Sequence, residues 1–189
     1  MSDRSDAELP GSPALPPLAA EDHVCRDCRL AYQRVSVERA AEVIRHLPAE
    51  VHDAVSAIPS EARRIRPSSG VWSVTEYVCH LRDVYTTYTI RLHRARTENG
   101  PVLEPMLNDL RAVRFRYNER DCDAVLHELA ATASGFCEEV ARTRPDDWDR
   151  VVTRLPGEQR TARWLVRQAM HEGQHHLLDI RRIGETVIQ

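Results

Sequence analysis

Trp72-Ser73-Val74-Thr75-Glu76-Tyr77-Val78-Cys79-His80-Leu81-Arg82-Asp83 carries a complete set of helix-start signals. Ser73 is an N-cap, Glu76 three residues on closes a capping box, and Trp72 before the cap can staple against Tyr77. Val74, Val78, Leu81, Tyr85, Tyr88 and Leu92 then recur at helical spacing. That pattern predicts an amphipathic helix to about Arg96, stopped by Asn99-Gly100-Pro101.

Working outward, the same period organises the rest of the chain. From Ser36, residues Val37, Ala40, Ala41, Val43 and Ile44 read as helical up to Pro48, which suits the first turn of a second segment carrying Val51, Val55 and Ile58. The expectation there is one broken helix, or a short one and a longer one. Residues 107–116 are partly helical, and Asp121 or Asp123 caps a helix carrying Val125, Leu129, Ala133, Phe136 and Val140 before Pro145. Residues 151–155 suit a short extended piece before Pro156-Gly157, and a last helix begins near Thr161 and ends by Gly184. Four principal helices with mostly short links predict an all-α, up-and-down four-helix bundle.

A chain of 189 residues is long enough for one core. We expect a single domain over 21–189, with a Cys-x-x-Cys segment at 23–35, preceded by a disordered tail over 1–20, where Pro10, Pro13, Pro16 and Pro17 lie among Ser, Asp and Ala. The net charge of −3, with both signs mixed throughout, gives no basic face, so nucleic acid is not an expected partner. No apolar run approaches the roughly 18–20 residues that span a bilayer, and no secretory leader is recognisable. A cytoplasmic protein without membrane attachment is expected. All 26 basic residues are Arg, a bias of high-GC bacterial genomes.

Five cysteines are an odd number and do not read as a disulfide framework. Cys25 and Cys28 alone have a suggestive spacing: with His23 they offer half of a structural zinc site, or a redox pair, but no second Cys-x-x-Cys follows. Cys122 and Cys137 read as ordinary helix residues.

The chemistry concentrates in the last helix, which reads Met170-His171-Glu172-Gly173-Gln174-His175-His176-Leu177. Ligands at i and i+4 share a helix face, and two such pairs exist, His171 with His175 and Glu172 with His176. On a wheel with Leu165 at zero, the apolar residues average to about 70°, His176 falls near about 20° and Glu172 near about 340°. His171 and His175 fall near about 240° and 280°, largely away from the core. Glu172 and His176 therefore suit a buried ion better, with His80, at the border of its own apolar stripe, as the best third ligand. Two imidazoles and one carboxylate leave a coordination position open, as catalytic sites do. The i, i+4 spacing also serves ordinary side-chain pairing, so whether His80 meets the last helix depends on the fold.

Trp72-Ser73-x-x-Glu76-x-x-x-His80 together with His175-His176-Leu177-Leu178-Asp179-Ile180 resembles the DinB/YfiT-like superfamily of metal-binding four-helix bundles, over roughly residues 36–185. The resemblance implies one ligand from the second helix, His80, and an i, i+4 pair from the last, Glu172 and His176. Many relatives have His where Glu172 stands; a His, Glu, His set is similar to the mycothiol-dependent maleylpyruvate isomerases. That branch implies a divalent metal, zinc first with nickel, iron or manganese as alternatives. It also implies activation of a low-molecular-weight thiol such as mycothiol against an electrophilic substrate, in an S-transferase or isomerase. Arg82 and Asp83 are candidates for the neighbourhood of the site. A non-catalytic metal-binding stress or interaction protein, a homodimer paired through helix faces, and a Cys25/Cys28 redox or zinc module remain open from the sequence.

Overall fold

The computed structural model describes residues 15–187. Four long helices make the frame: α1 (Val37–Ser56), α2 (Val74–Thr97), α4 (Cys122–Arg142) and α5 (Ala162–Val187), with a short α3 (Asn108–Arg114) between α2 and α4. The packed pairs are α2–α4, α1–α5, α2–α5 and α1–α4. The bundle is therefore the expected one, with a refinement that periodicity does not carry: α1 and α2, consecutive in sequence, stand at opposite corners, as do α4 and α5. This order sets α2 directly against α5.

The start of α2 follows its local signals. Ser73 Oγ accepts from Glu76 N, the Glu76 carboxylate accepts from Ser73 N, and the Trp72 and Tyr77 rings lie 5.6 Å apart. At α4 the cap is Asp121, which accepts from the amides of Asp123 and Ala124. The break expected at Pro48 is absent, and α1 runs through it. Ile44, Leu47, Val51 and Val55 are all almost fully buried on one face. Burial at about 1.5–3 kcal/mol per side chain outweighs the roughly 3 kcal/mol that an interior proline costs.

The extended piece at 151–155 is one arm of a hairpin, β1 (Val151–Thr153) paired antiparallel with β2 (Gln159–Thr161), and Gly157 turns it at φ +81°. Of the tail expected over 1–20, residues 1–14 lie outside the described residues. Residues 15–20 lie along the hairpin: Leu18 N donates to Glu158 Oε1 at 2.8 Å, Arg160 donates to the carbonyls of Leu18 and Ala19, and Trp164 Nε1 donates to Ala20 O. Among the described residues no helix is long and apolar enough to cross a membrane.

The segment that follows, residues 23–32, is a tight turn. Val24 bridges Ala31, Cys25 N donates to Leu30 O at 2.9 Å, Tyr32 N donates to His23 O at 3.0 Å, and Arg29 takes the left-handed conformation at φ +59°. It packs on the face of α5 that the wheel assigns to solvent.

Candidate metal centre

His80 projects from the second turn of α2, and Glu172 and His176 sit one turn apart on α5, so the α2–α5 contact brings the three together. Their ligand-type atoms all lie within 4.8 Å of one another. Glu172 Oε2 is 3.3 Å from His80 Nε2 and 3.3 Å from His176 Nε2. Donors held about 2.0–2.1 Å from a tetrahedral ion are separated by about 3.3 Å, so the two distances from Glu172 Oε2 match a zinc-type site, and the donor set matches it by chemistry. The His80 side chain is 3% exposed, Glu172 23% and His176 18%. The cluster is closed on the His80 side and reachable on the α5 side.

Each ligand is held from behind. His176 Nδ1 lies 3.0 Å from Asp179 Oδ2, which orients the ring with Nε2 towards the cluster. Gln168 Nε2 donates to Glu172 Oε1 at 2.6 Å and leaves Oε2 for the cluster. Trp72 stands edge-on to His80 at 5.2 Å, and Tyr77 covers His176 at 5.1 Å. Burial drives the His80 imidazole towards its neutral form. At His176 burial acts the same way, but the bonds to Asp179 and Glu172 outweigh it and push the group up to about 9. Burial alone would raise the Glu172 carboxyl; the two imidazoles beside it hold it well below the usual carboxylate range. A cation bound here would displace the His176 proton, and uptake would release it.

Gly173 sets how close α5 approaches. A Cβ at that position would collide with the Leu47 side chain of α1 and with Tyr85 Oη of α2. We expect Gly173→Ala to lose about 1–3 kcal/mol through overpacking, despite a gain of up to about 1 kcal/mol in helix propensity. The melting temperature should fall by roughly 2–4 °C per kcal/mol, and zinc affinity should fall with it because Glu172 is carried outward. Thermal denaturation with and without zinc reads both.

Arg82 and Asp83 do not face this cluster. Arg82 pairs with Glu128 of α4 at 2.7 Å, and Asp83 is buried against Arg111 and Tyr117. The other i, i+4 pair is not idle either. His171 and His175 come together with Cys25 and Cys28, again with all ligand-type atoms within 4.8 Å. His23 rests its ring against His171 and Tyr32 and is not among the converging atoms. All the cysteines are unpaired, and burial pushes the Cys28 thiol up to about 11, the opposite of what a reactive Cys-x-x-Cys pair needs. Gln168, Asp179 and Tyr32 were missed by sequence reasoning. The first two stand four residues before Glu172 and three after His176, spacings that a search for outer partners finds; Tyr32 has no sequence signal.

A cleft of about 1040 Å³ between α1 and α4, lined by Pro48, His52, Leu126 and Cys137 among others, holds none of these clusters.

A family model, described as the DinB superfamily, matches residues 43–180. Among solved structures the chain is similar to YfiT from Bacillus subtilis, described as a probable metal-dependent hydrolase with an unusual four-helix bundle topology. The TM-score is 0.70 at 16% identity, over 88% of this chain and 93% of that one. It is also similar to the mycothiol-dependent maleylpyruvate isomerase, with a TM-score of 0.64 at 15% identity over 78% of this chain and 62% of that one, and to a single-site variant of the same protein at 14%. This chain thus spans less than two thirds of the isomerase. No curated protein gives a significant match.

Proposed function

The chain belongs to the DinB superfamily, and from that footing we propose that it is a divalent-metal enzyme that activates a low-molecular-weight thiol, as an S-transferase or isomerase. The observation that carries the reading is the convergence of His80, Glu172 and His176, with Glu172 Oε2 3.3 Å from both imidazole Nε2 atoms and one side accessible. Three protein donors leave a position for a substrate atom. Two imidazoles and a carboxylate suit zinc, and also iron, manganese or nickel. When bound, such an ion lowers the pKa of a thiol and supplies it as thiolate at neutral pH.

The chain's own residues prepare that chemistry. Glu172 contributes the one negative charge among the donors, Asp179 fixes the ring of His176, and Gln168 fixes the carboxylate of Glu172. Trp72 and Tyr77 line the approach with apolar surface that limits water around a bound thiolate. Mycothiol is the thiol of choice because the isomerase with this fold depends on it and because an Arg-only composition fits a host that makes it.

The test is conjugation of a haloarene to mycothiol, and to other bacterial thiols, by zinc-loaded and metal-stripped protein. We expect turnover in the first, none in the second, and recovery on adding zinc. Metal-dependent hydrolysis is a second reading, favoured by the fuller likeness to YfiT. Ester or amide cleavage that needs the metal but no thiol would select it. Chelation that lowers the melting temperature while neither activity is found leaves the ion as a stiffener of the bundle.

A further inference from the structure

We propose that Cys25, Cys28, His171 and His175 form a second metal site, a closed Cys2His2 site for a structural zinc ion, separate from the cluster around Glu172. The two cysteines lie in the turn closed by the bond from Cys25 N to Leu30 O, and the two histidines lie one turn apart on α5. The four ligand-type atoms are within 4.8 Å of one another, and Cys25 Sγ is 3.5 Å from His175 Nδ1. A sulfur at about 2.3 Å and a nitrogen at about 2.0–2.1 Å from a tetrahedral zinc are separated by about 3.6 Å.

The hydrogen bonds around His171 fix its tautomer. Glu172 has only acceptors to offer, so the amide nitrogen of Gln168 is the atom facing it, and the Gln168 carbonyl oxygen faces Tyr32. Tyr32 has one proton and donates it to Gln168 Oε1 at 2.5 Å. Its oxygen therefore accepts from His171 Nδ1 at 2.8 Å, and His171 Nε2 carries the lone pair. That nitrogen is buried and has no hydrogen-bond partner. A buried, unpartnered lone pair on an imidazole that converges with two thiols and a second imidazole is what a cation satisfies. His175 has the complementary arrangement, with Nε2 on the side of Asp179 Oδ2 at 3.8 Å and Nδ1 towards Cys25.

Four protein donors and no open position mark a structural site, and two thiolates with two neutral imidazoles neutralise a divalent ion. Binding would release the two thiol protons. The ion would clasp residues 25–28 to α5, and the chain of bonds from His171 through Tyr32 and Gln168 to Glu172 makes the clasp a support for the first cluster. This inference does not depend on what the first cluster catalyses.

Zinc content and cobalt spectra of the full chain test it. We expect two zinc ions per chain in the wild type and one in the Cys25→Ser, Cys28→Ser double variant. We also expect one in Glu172→Gln, because the two sites are filled separately. Cobalt-loaded wild type and Glu172→Gln should both show a thiolate-to-cobalt charge-transfer band, which two imidazoles and a carboxylate cannot produce; the double variant should lack it. If the double variant does not fold, thiol titration of the wild type decides, since zinc should mask two thiols and a chelator should return them. A cobalt-loaded wild type without that band, or thiols titrating alike with and without zinc, overturns the proposal.

Discussion

Glu172→Gln is expected to abolish metal binding at the His80/Glu172/His176 cluster while leaving the bundle folded. The substitution keeps the shape of the side chain. What it removes is the one anionic donor, Oε2, that stands 3.3 Å from both imidazoles. Loss of an outer partner typically costs about 10- to 100-fold in affinity, so loss of a charged inner donor should exceed about 100-fold. Asp179→Asn supplies the graded control. It leaves all three donors in place, frees His176 Nδ1 from its carboxylate, and should fall within that 10- to 100-fold range. Competition against a chromophoric chelator measures both variants. Zinc at about 100 times its dissociation constant should stabilise the wild type by about 2.7 kcal/mol, an effect Glu172→Gln should lose at this cluster. Metal stoichiometry unchanged from wild type would rule the cluster out as a binding site, and thiol conjugation that survives in Glu172→Gln would remove it from the chemistry.

Signals confined to one turn or one helix face were legible in the sequence, and contacts across long separations were not. Ser73, Glu76, Trp72 and Tyr77 announce the start of α2 because every group involved lies within five residues. The wheel of α5 separates Glu172 and His176 from His171 and His175, and in the structure the two pairs do face different neighbours. It cannot say what lies beyond each face. The direction it marks as outward is covered by residues 23–32, some 140 positions earlier, so what reads as an unused pair of histidines gains two cysteines. Pro48 misleads for a related reason: its cost is local and visible, whereas the burial of Ile44, Leu47, Val51 and Val55 that overrides it comes from α4 and α5. Helix order in the bundle is likewise a property of packing between elements, and no periodicity encodes that α2 lies beside α5.

Asp83→Ala should be the most destabilising single change among the buried charged groups of α2, and it should act on stability without touching the metal. The Asp83 side chain is 8% exposed and takes hydrogen bonds from Arg82 Nε at 2.8 Å, Arg111 Nε at 3.0 Å and Nη2 at 2.6 Å, and the Tyr117 hydroxyl. Through them it ties α2 to α3 and to the turn that follows. Its removal leaves two guanidinium groups and a buried phenol without their acceptor. Breaking such a buried network costs about 3–5 kcal/mol, and the lower end applies because Arg111, 37% exposed, can regain water. The pH dependence has a definite sign. Burial would raise the Asp83 carboxyl, but the bonds from Tyr117 and Arg111 outweigh it and hold it below its ordinary value of about 3.9. The stability it contributes is therefore present in full above that value and is lost as pH falls through the lower folded one. Urea unfolding at neutral pH should separate wild type from Asp83→Ala by about 3 kcal/mol, and the gap should close only below about pH 4. Zinc affinity should be the same in both, because Asp83 faces α3 and the His80 cluster faces α5. A gap that stays constant into acid would mean that the lost stability comes from packing and not from the carboxylate.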